Sequence, residues 1–265
     1  MNPLPLIIAH RGTSRFAPEN TLAAFKMAVA VGAEGVEFDV RLSKDRVPVV
    51  IHDPTLERTG MRREKVSDMT AEQLADVDVG SWFNKKHPKR TALDHSGETV
   101  PTLGQVLDLL DNFDGLIYVE LKADGADLNR LVAAVCGVLR VSKLLPQIIV
   151  KSFDLAAVSA VKRHLPEVTT AALFAPQIVD LIDRRRQIVD IARDAGADQV
   201  SIHRALLTRT LMKKAGDANV PVTIWTADRP LWVHRCRRLG VRALITNDPA
   251  LMLAAREGPG GSLGP

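Results

Sequence analysis

The chain has 265 residues, 46% hydrophobic and 25% charged, proportions that supply a buried core and exclude the disordered and fibrous classes. The formal charge is only +4 and aromatic residues make up 4%. Basic residues spread through helical stretches, apart from Arg184, Arg185 and Arg186 and the Arg235–Arg238 stretch, so solvated helix faces account for them better than a nucleic-acid track. Cys136 and Cys236 form neither a close pair nor a metal-ligand spacing, which fits a reducing compartment. The opening MNPLPLIIAH lacks the basic region and apolar run of a signal peptide, and no window approaches the ~18 apolar residues of a membrane span. A cytoplasmic location without stable membrane association is expected.

In chain order, short runs rich in Val, Ile and Leu alternate with stretches of helical period. Leu6–Ala9 reads as a strand, Asn20–Val31 as a helix and Gly35–Asp39 as the second strand. Val47–His52 is also strand-like, but Ser43-Lys44-Asp45-Arg46 is too short a link for a parallel crossover. Val40–His52 is therefore expected to be an antiparallel excursion that returns His52 toward Asp39. Residues 53–101 become an insertion on the C-terminal face, with Trp82 and Phe83 as packing anchors and a place in a lid or substrate wall. The helix Leu103–Asn112 follows.

Six further pairs continue the alternation: Leu116–Leu121 with Ala126–Val141, Ile148–Ser152 with Leu155–His164, Thr170–Phe174 with Ile178–Asp194, Gln199–Ile202 with Arg204–Asp217, Val222–Thr226 with Pro230–Leu239, and Ala243–Thr246 with Pro249–Glu257. Strict alternation of this count points to an α/β fold, a closed (β/α)8 TIM barrel, whereas open doubly wound sheets have about five to seven strands. Residues 1–257 are expected to form one catalytic barrel domain, and Gly258–Pro265 a disordered tail.

The chemistry gathers at predicted strand ends, where barrel enzymes place their active sites. Ala9-His10-Arg11-Gly12 offers an imidazole, a planar donor fork suited to phosphate, and a glycine that permits close backbone approach. In Glu37-Phe38-Asp39 the period-two geometry turns both carboxylates to one side. Two acids in an apolar strand call for a cation between them; the competing explanation is an ion pair with Arg11, Arg41 or Lys122. Glu120-Leu121-Lys122 adds a third carboxylate, and three acids without cysteine favour Mg²⁺ or Ca²⁺ over zinc. Lys122 suits either a phosphate or the balancing of the acids. His52-Asp53 brings a second imidazole, so one histidine can accept a proton while the other donates one. His87, His95, His164, His203 and His234 read as structural or surface residues, with His203 the one at a strand end. Trp225 suits an apolar substrate wall or a core position, and Phe153 a packing role.

Ala9-His10-Arg11-Gly12, Pro18-Glu19-Asn20-Thr21, Val36-Glu37-Phe38-Asp39-Val40, Pro48-Val49-Val50-Ile51-His52-Asp53, Pro101-Thr102-Leu103 and Glu120-Leu121-Lys122 together resemble the glycerophosphodiester phosphodiesterases. Lys151-Ser152-Phe153 and Trp225-Thr226 extend the likeness more thinly. The resemblance implies hydrolysis of glycerophosphodiesters to glycerol 3-phosphate and an alcohol. It implies one divalent metal, Mg²⁺ or Ca²⁺, on Glu37, Asp39 and Glu120, acid–base work by His10 and His52, and phosphate binding by Arg11. The nucleophile is either water or the neighbouring glycerol hydroxyl. The expected partner is a small phosphodiester, not nucleic acid. One departure is Arg46, which stands where the family usually has glycine. A lysophospholipase D-type or phosphatidylinositol phospholipase C-like activity and a non-catalytic metabolite-binding barrel are the rivals. An aldolase or isomerase barrel would not need Arg11 beside His10.

Overall fold

The computed structural model describes residues 2–90, 93–122, 125–176 and 187–257. Among these, nine strands form one sheet: β1 Leu6–His10, β2 Gly35–Leu42, β3 Pro48–Val50, β4 Leu116–Leu121, β5 Ile148–Ser152, β6 Thr169–Phe174, β7 Gln199–His203, β8 Val222–Trp225 and β9 Ala243–Thr246. Their order is β1-β9-β8-β7-β6-β5-β4-β2-β3, and β1 also pairs with β2. Eight parallel strands therefore close into a TIM barrel, and β3 is the extra antiparallel strand. The strands are nearly continuous apolar runs because both faces are covered, one by the barrel interior and the other by helices.

Ten helices are described: α1 Leu22–Ala30, α2 Ala71–Ala75, α3 Ser81–Lys86, α4 Leu103–Leu109, α5 Leu128–Arg140, α6 Leu155–His164, α7 Ile188–Asp194, α8 Arg209–Asp217, α9 Leu231–Leu239 and α10 Pro249–Glu257. Their starts are written in side chains. Thr21 accepts from Ala24 N, Asp154 from Ala156 N and Thr208 from Leu211 N, while Thr102 with Gln105 makes a capping box. Burial then holds them: α5 turns Leu131, Val132, Val135, Cys136 and Leu139 into the core. Each such side chain stabilises by about 1.5–3 kcal/mol when fully buried.

Several expected boundaries move for these local reasons. The expected helix Arg204–Asp217 is a 3-10 turn at Arg204–Leu206 followed by α8, because Thr208 caps a fresh start. Asn20 lies outside α1 in a left-handed conformation, φ 60°. Ala126–Val141 likewise divides into a 3-10 turn, Gly125–Asp127, and α5. Of the expected helix Ile178–Asp194, positions 178–186 lie outside the described residues, as do Arg184, Arg185, Arg186 and the tail 258–265.

The hairpin joins β2 to β3 through Val40↔Val50, Arg41↔Val49 and Leu42↔Pro48, and Ile51 N donates to Asp39 O (3.0 Å). Arg46 takes a left-handed φ of 64°, so the turn keeps the backbone shape that glycine adopts freely. Segment 53–101 packs Leu56, Val66, Leu74, Val77, Val79 and Val100 on Val49 and Ile51 of the hairpin. Trp82 and Phe83 are buried, and Trp82 Nε1 donates to Val79 O (2.8 Å). Inside the barrel Ile8, Tyr118, Ile149, Ala171, Ala243 and Ile245 form the apolar floor, and Tyr118 Oη meets Thr223 Oγ1 at 3.1 Å across it. No described helix is long and apolar enough to cross a membrane.

Candidate active site

Strand register assembles the site above that floor. His10 lies beside Glu37, Asp39 beside Glu120, and Glu120 beside Lys151, so four adjacent strand ends present one continuous set of charges. Glu37, Asp39 and Glu120 are all buried, and each offers a carboxylate oxygen within 4.8 Å of the others. Three cations answer them. Arg11 Nε lies 3.0 Å from Asp39, Lys122 Nζ is 3.2 Å from Asp39 and also pairs with Glu120, and Lys151 Nζ lies 2.8 Å from Glu37 and 3.4 Å from Glu120. Burial opposes ionisation of Glu37, but the charges of Lys151 and His10 outweigh it and hold the carboxyl below its ordinary range. Burial likewise opposes ionisation of Asp39, and Arg11, Lys122 and His52 reverse it more strongly. The lysine and arginine are raised in turn: burial lowers both, yet Glu37 and Glu120 outweigh it for Lys151, as do Asp39 and Glu19 for Arg11.

Both explanations of the paired acids are thus present together: the ion pairs with Arg11 and Lys122, and a three-carboxylate cage. The cage fits a hard divalent ion, because three buried carboxylates converge within 4.8 Å, although Glu37 Oε1, Asp39 Oδ1 and Glu120 Oε1 are here the oxygens that Lys151 and Lys122 hold. Arg41, the third cation considered, instead donates to the carbonyls of His52 (2.7 Å) and Lys122 (3.4 Å), bracing the hairpin against β4.

The backbone at His10 is shaped to deliver these groups. Arg11 and Gly12 both have positive φ, 56° and 78°, and Arg11 N donates to Glu37 O (2.6 Å). A Cβ at Gly12 would lie 2.6 Å from the Ala24 carbonyl carbon, so only glycine lets this turn meet α1. Asn20 reaches back, its Nδ2 donating to Asp39 Oδ2 (3.0 Å) and its N to Arg11 O (3.0 Å).

Each histidine has its Nδ1 engaged. His10 Nδ1 lies 2.7 Å from Asn247 Oδ1, whose orientation is set because Asn247 Nδ2 donates to Asp228 Oδ2 (2.8 Å). His52 Nδ1 lies 2.6 Å from Asp53 Oδ1, and Arg58 holds that carboxylate from its other oxygen (2.6 Å). Both partners are acceptors, so Nδ1 carries the proton and Nε2 is left for chemistry. His10 Nε2 is 3.8 Å from Glu37 Oε2.

All seven expected polar residues, His10, Arg11, Glu37, Asp39, His52, Glu120 and Lys122, therefore lie at one barrel mouth. Trp225 stands across it, half-buried, with its ring against Phe153 (centroids 5.6 Å) and His203 (5.2 Å). Phe153, expected only to pack, also lies under Lys122 Nζ (5.8 Å). Arg58 and Asn247 are not singled out in the sequence, and Glu19, Asn20, Asp53 and Lys151 stand there only within motifs, without a role of their own. Lys151 carried the clearest signal, a lone charge inside Ile148-Ile149-Val150-Lys151, and it is 2% exposed. Two clefts flank the mouth. One, of about 400 Å³, opens beside Arg41, Lys65 and Lys122; the other, of about 310 Å³, opens beside His10, Arg11, Trp82, Lys86 and Asn247.

A profile of the glycerophosphoryl diester phosphodiesterase family matches residues 10–251, nearly the whole chain. The chain belongs to this family. A glycerophosphodiester phosphodiesterase of Caldanaerobacter subterraneus subsp. tengcongensis is 30% identical over 94% of this chain and 96% of the relative. One from Bacillus subtilis is 29% identical over 96% of this chain and 87% of its own. Among solved structures, a phosphodiesterase of Oleispira antarctica in complex with the product sn-glycerol-3-phosphate superposes with a TM-score of 0.84, at 26% identity, covering 96% of this chain and 98% of that one. The glycerophosphodiester phosphodiesterase of Agrobacterium tumefaciens matches with a TM-score of 0.76, at 26% identity, over 94% and 99%.

Proposed function

We propose that this chain hydrolyses glycerophosphodiesters, the deacylated remains of phospholipids, to glycerol 3-phosphate and an alcohol. The observation that carries the reading is the buried set Glu37, Asp39 and Glu120 flanked by two histidines whose Nε2 atoms are left open. Glu37, Asp39 and Glu120 would hold one divalent ion, Mg²⁺ or Ca²⁺, which when bound supplies positive charge to the phosphate oxygens. His10 and His52 serve as the acid–base pair: one Nε2 takes a proton from the nucleophile, water or the neighbouring glycerol hydroxyl, while the other ring, protonated at Nε2 as well, gives that proton to the departing alkoxide. If the hydroxyl attacks, water then opens the cyclic phosphate to glycerol 3-phosphate with the two roles exchanged. Asn247 and Asp53 keep the proton on Nδ1 of each ring, so Nε2 is the nitrogen that exchanges protons. Arg11 spends Nε on Asp39 and Nη1 on Glu19, leaving Nη2 for a phosphate oxygen, and Lys122 adds charge at the mouth. These cations stay in place as charge builds on the phosphoryl group, so no reorganisation is needed at the moment of reaction. Trp225 walls the substrate's carbon skeleton, and its Nε1, buried and unpartnered among the described residues, is a donor for a substrate oxygen. Two buried thiols on separate helices suit a reducing compartment such as the cytoplasm.

The test is release of glycerol 3-phosphate from glycerophosphoglycerol, glycerophosphocholine and glycerophosphoethanolamine, with EDTA and then with Mg²⁺ or Ca²⁺ restored. Turnover that EDTA removes and one ion restores supports the reading. Silence on all three substrates with either ion, alongside turnover of a lysophospholipid, would replace it.

A further inference from the structure

The cleft of about 310 Å³ beside His10 is walled by the insertion and the loops after β1, β8 and β9, and its rim carries a net positive charge. Arg11, Arg15, Arg58, Lys86 and Arg90 line it beside two carboxylates, Glu19 and Asp228. Of these cations, Arg11 is paired with Asp39 and Glu19, Arg15 with Asp248 (3.2 Å) and Arg58 with Glu19 and Asp53, so the surplus charge rests on Lys86 and Arg90 at the exposed rim. Both carboxylates are already saturated. Glu19 takes Arg11 (2.7 Å) and a two-pronged contact from Arg58 (2.7 and 2.8 Å), while Asp228 accepts from Thr246 Oγ1, Asn247 N and Asn247 Nδ2. Among the described residues no carboxylate lies within 4.0 Å of the Lys86 or Arg90 charge. Those two charges depress the His87 imidazole below its usual range, after burial as the larger cause.

The aromatic surface of the cleft is also taken. Trp82 is the ring that could receive a quaternary ammonium, yet Arg58 and Lys86 each lie 5.8 Å from its centroid, and Phe83 is buried. A choline or ethanolamine head at this ring would meet the two cations that already lie against it. Trp225 and Phe153 stand on the far side of the mouth, at the ends of β8 and β5, so a phosphodiester centred on Arg11 points one substituent toward the aromatic pair and the other toward this cleft.

Resting on the hydrolysis proposed above, we infer that the cleft selects the alcohol by charge: the substrates are glycerophosphodiesters whose alcohol moiety is itself anionic, bearing a phosphate or carboxylate, in preference to choline or ethanolamine. Lys86 and Arg90 at the rim are specificity residues that act on KM and leave the chemistry at His10 and His52 alone.

The experiment compares kcat/KM for glycerophosphoinositol 4-phosphate and glycerophosphocholine in the wild type, in Lys86→Glu/Arg90→Glu and in the milder Arg90→Gln, at low and high salt. Two rim charges at roughly 8 Å through water favour the anionic substrate by about 5- to 10-fold, and the preference shrinks as the screening length falls from ~10 Å at 0.1 M to ~3 Å at 1 M salt. The double charge reversal should abolish or invert the ratio through KM, with kcat on glycerophosphocholine unchanged, and Arg90→Gln should fall between. Equal or better use of glycerophosphocholine by the wild type, or a ratio untouched by a folded charge-reversal variant, overturns the inference while leaving phosphodiesterase activity standing. Failure to cleave either substrate with either metal overturns the hydrolysis proposal itself.

Discussion

Lys151→Met replaces a buried ammonium by an apolar side chain of similar length, and its effect follows from the charge count at the barrel mouth. Glu37, Asp39 and Glu120 stand against Arg11, Lys122 and Lys151, so the site is balanced before any divalent ion enters. Removing Lys151 leaves one buried negative charge unmatched. At an effective dielectric of about 20 each of its two carboxylate contacts, 2.8 and 3.4 Å long, has a gross attraction of roughly 5 kcal/mol, most of it offset by no longer burying the ammonium. The net loss expected for one partner of a buried pair is about 3–5 kcal/mol. Urea denaturation in EDTA reads it directly. Adding Mg²⁺ or Ca²⁺ should then recover more stability in Lys151→Met than in the wild type, because the ion no longer competes with a resident cation. A ligand at 100 times its dissociation constant restores about 2.7 kcal/mol. The added double variant Lys151→Met/Glu120→Gln should be more stable than the sum of the single changes by about 1–3 kcal/mol. A Lys151→Met protein within about 0.5 kcal/mol of the wild type in EDTA would refute the charge-balance reasoning.

His10→Ala and His52→Ala should each lower turnover by about 10²-fold or more while titration calorimetry still detects divalent-ion binding, whereas Glu37→Gln should lose ion and activity together; an active His10→Ala enzyme would sink the acid–base assignment. Arg46→Gly should stabilise the hairpin by about 0.5 kcal/mol, the left-handed penalty of about 1–2 kcal/mol exceeding the extra entropy glycine loses, and a lowered urea midpoint would contradict it. Burial raises the Cys236 thiol to about 12 and that of Cys136 to about 11, from an ordinary 9.0. The folded state therefore holds these protons more tightly, so their contribution is intact below pH 9 and is lost as pH rises toward 12, by up to about 1.4 kcal/mol per pH unit per thiol. Iodoacetamide at pH 9.5 should label neither cysteine until the chain unfolds; labelling of the native protein at the free-thiol rate would count against their burial.

The barrel was legible because its signal is repetitive: eight apolar runs, each followed by a helical stretch, leave few alternatives once each strand must be buried on both faces. The seven polar residues at the mouth were legible for a related reason. A charge at the end of a buried strand has few other uses, and period-two spacing fixes that Glu37 and Asp39 share a side. Asn20, Arg58 and Asn247 lie in loops, where polar residues are ordinary, and only the closing of β1 on β9 brings Asn247 onto His10 across 237 positions. The helix that was expected to run through Arg204–Asp217 shows the same limit locally, since hydrophobic period passes through Thr208 whereas its hydroxyl, bonded to Leu211 N, starts a new helix.

Lys151 is the instructive case, because its strand and its place in a motif are legible in the sequence and its role beside the acids is not. A lone lysine in an apolar strand reads as an anomaly until register places it beside Glu120, and register is a property of the closed sheet, not of the strand. Once placed, it changes how the three acids are understood. They do not wait as an unbalanced cage for a cation to make burial tolerable; Arg11, Lys122 and Lys151 already do that. A divalent ion would instead leave the site with surplus positive charge, the condition that best suits an anionic phosphodiester gaining charge on its way to the transition state. Metal and substrate should then bind with mutual reinforcement, each completing the electrostatics that the other leaves unbalanced.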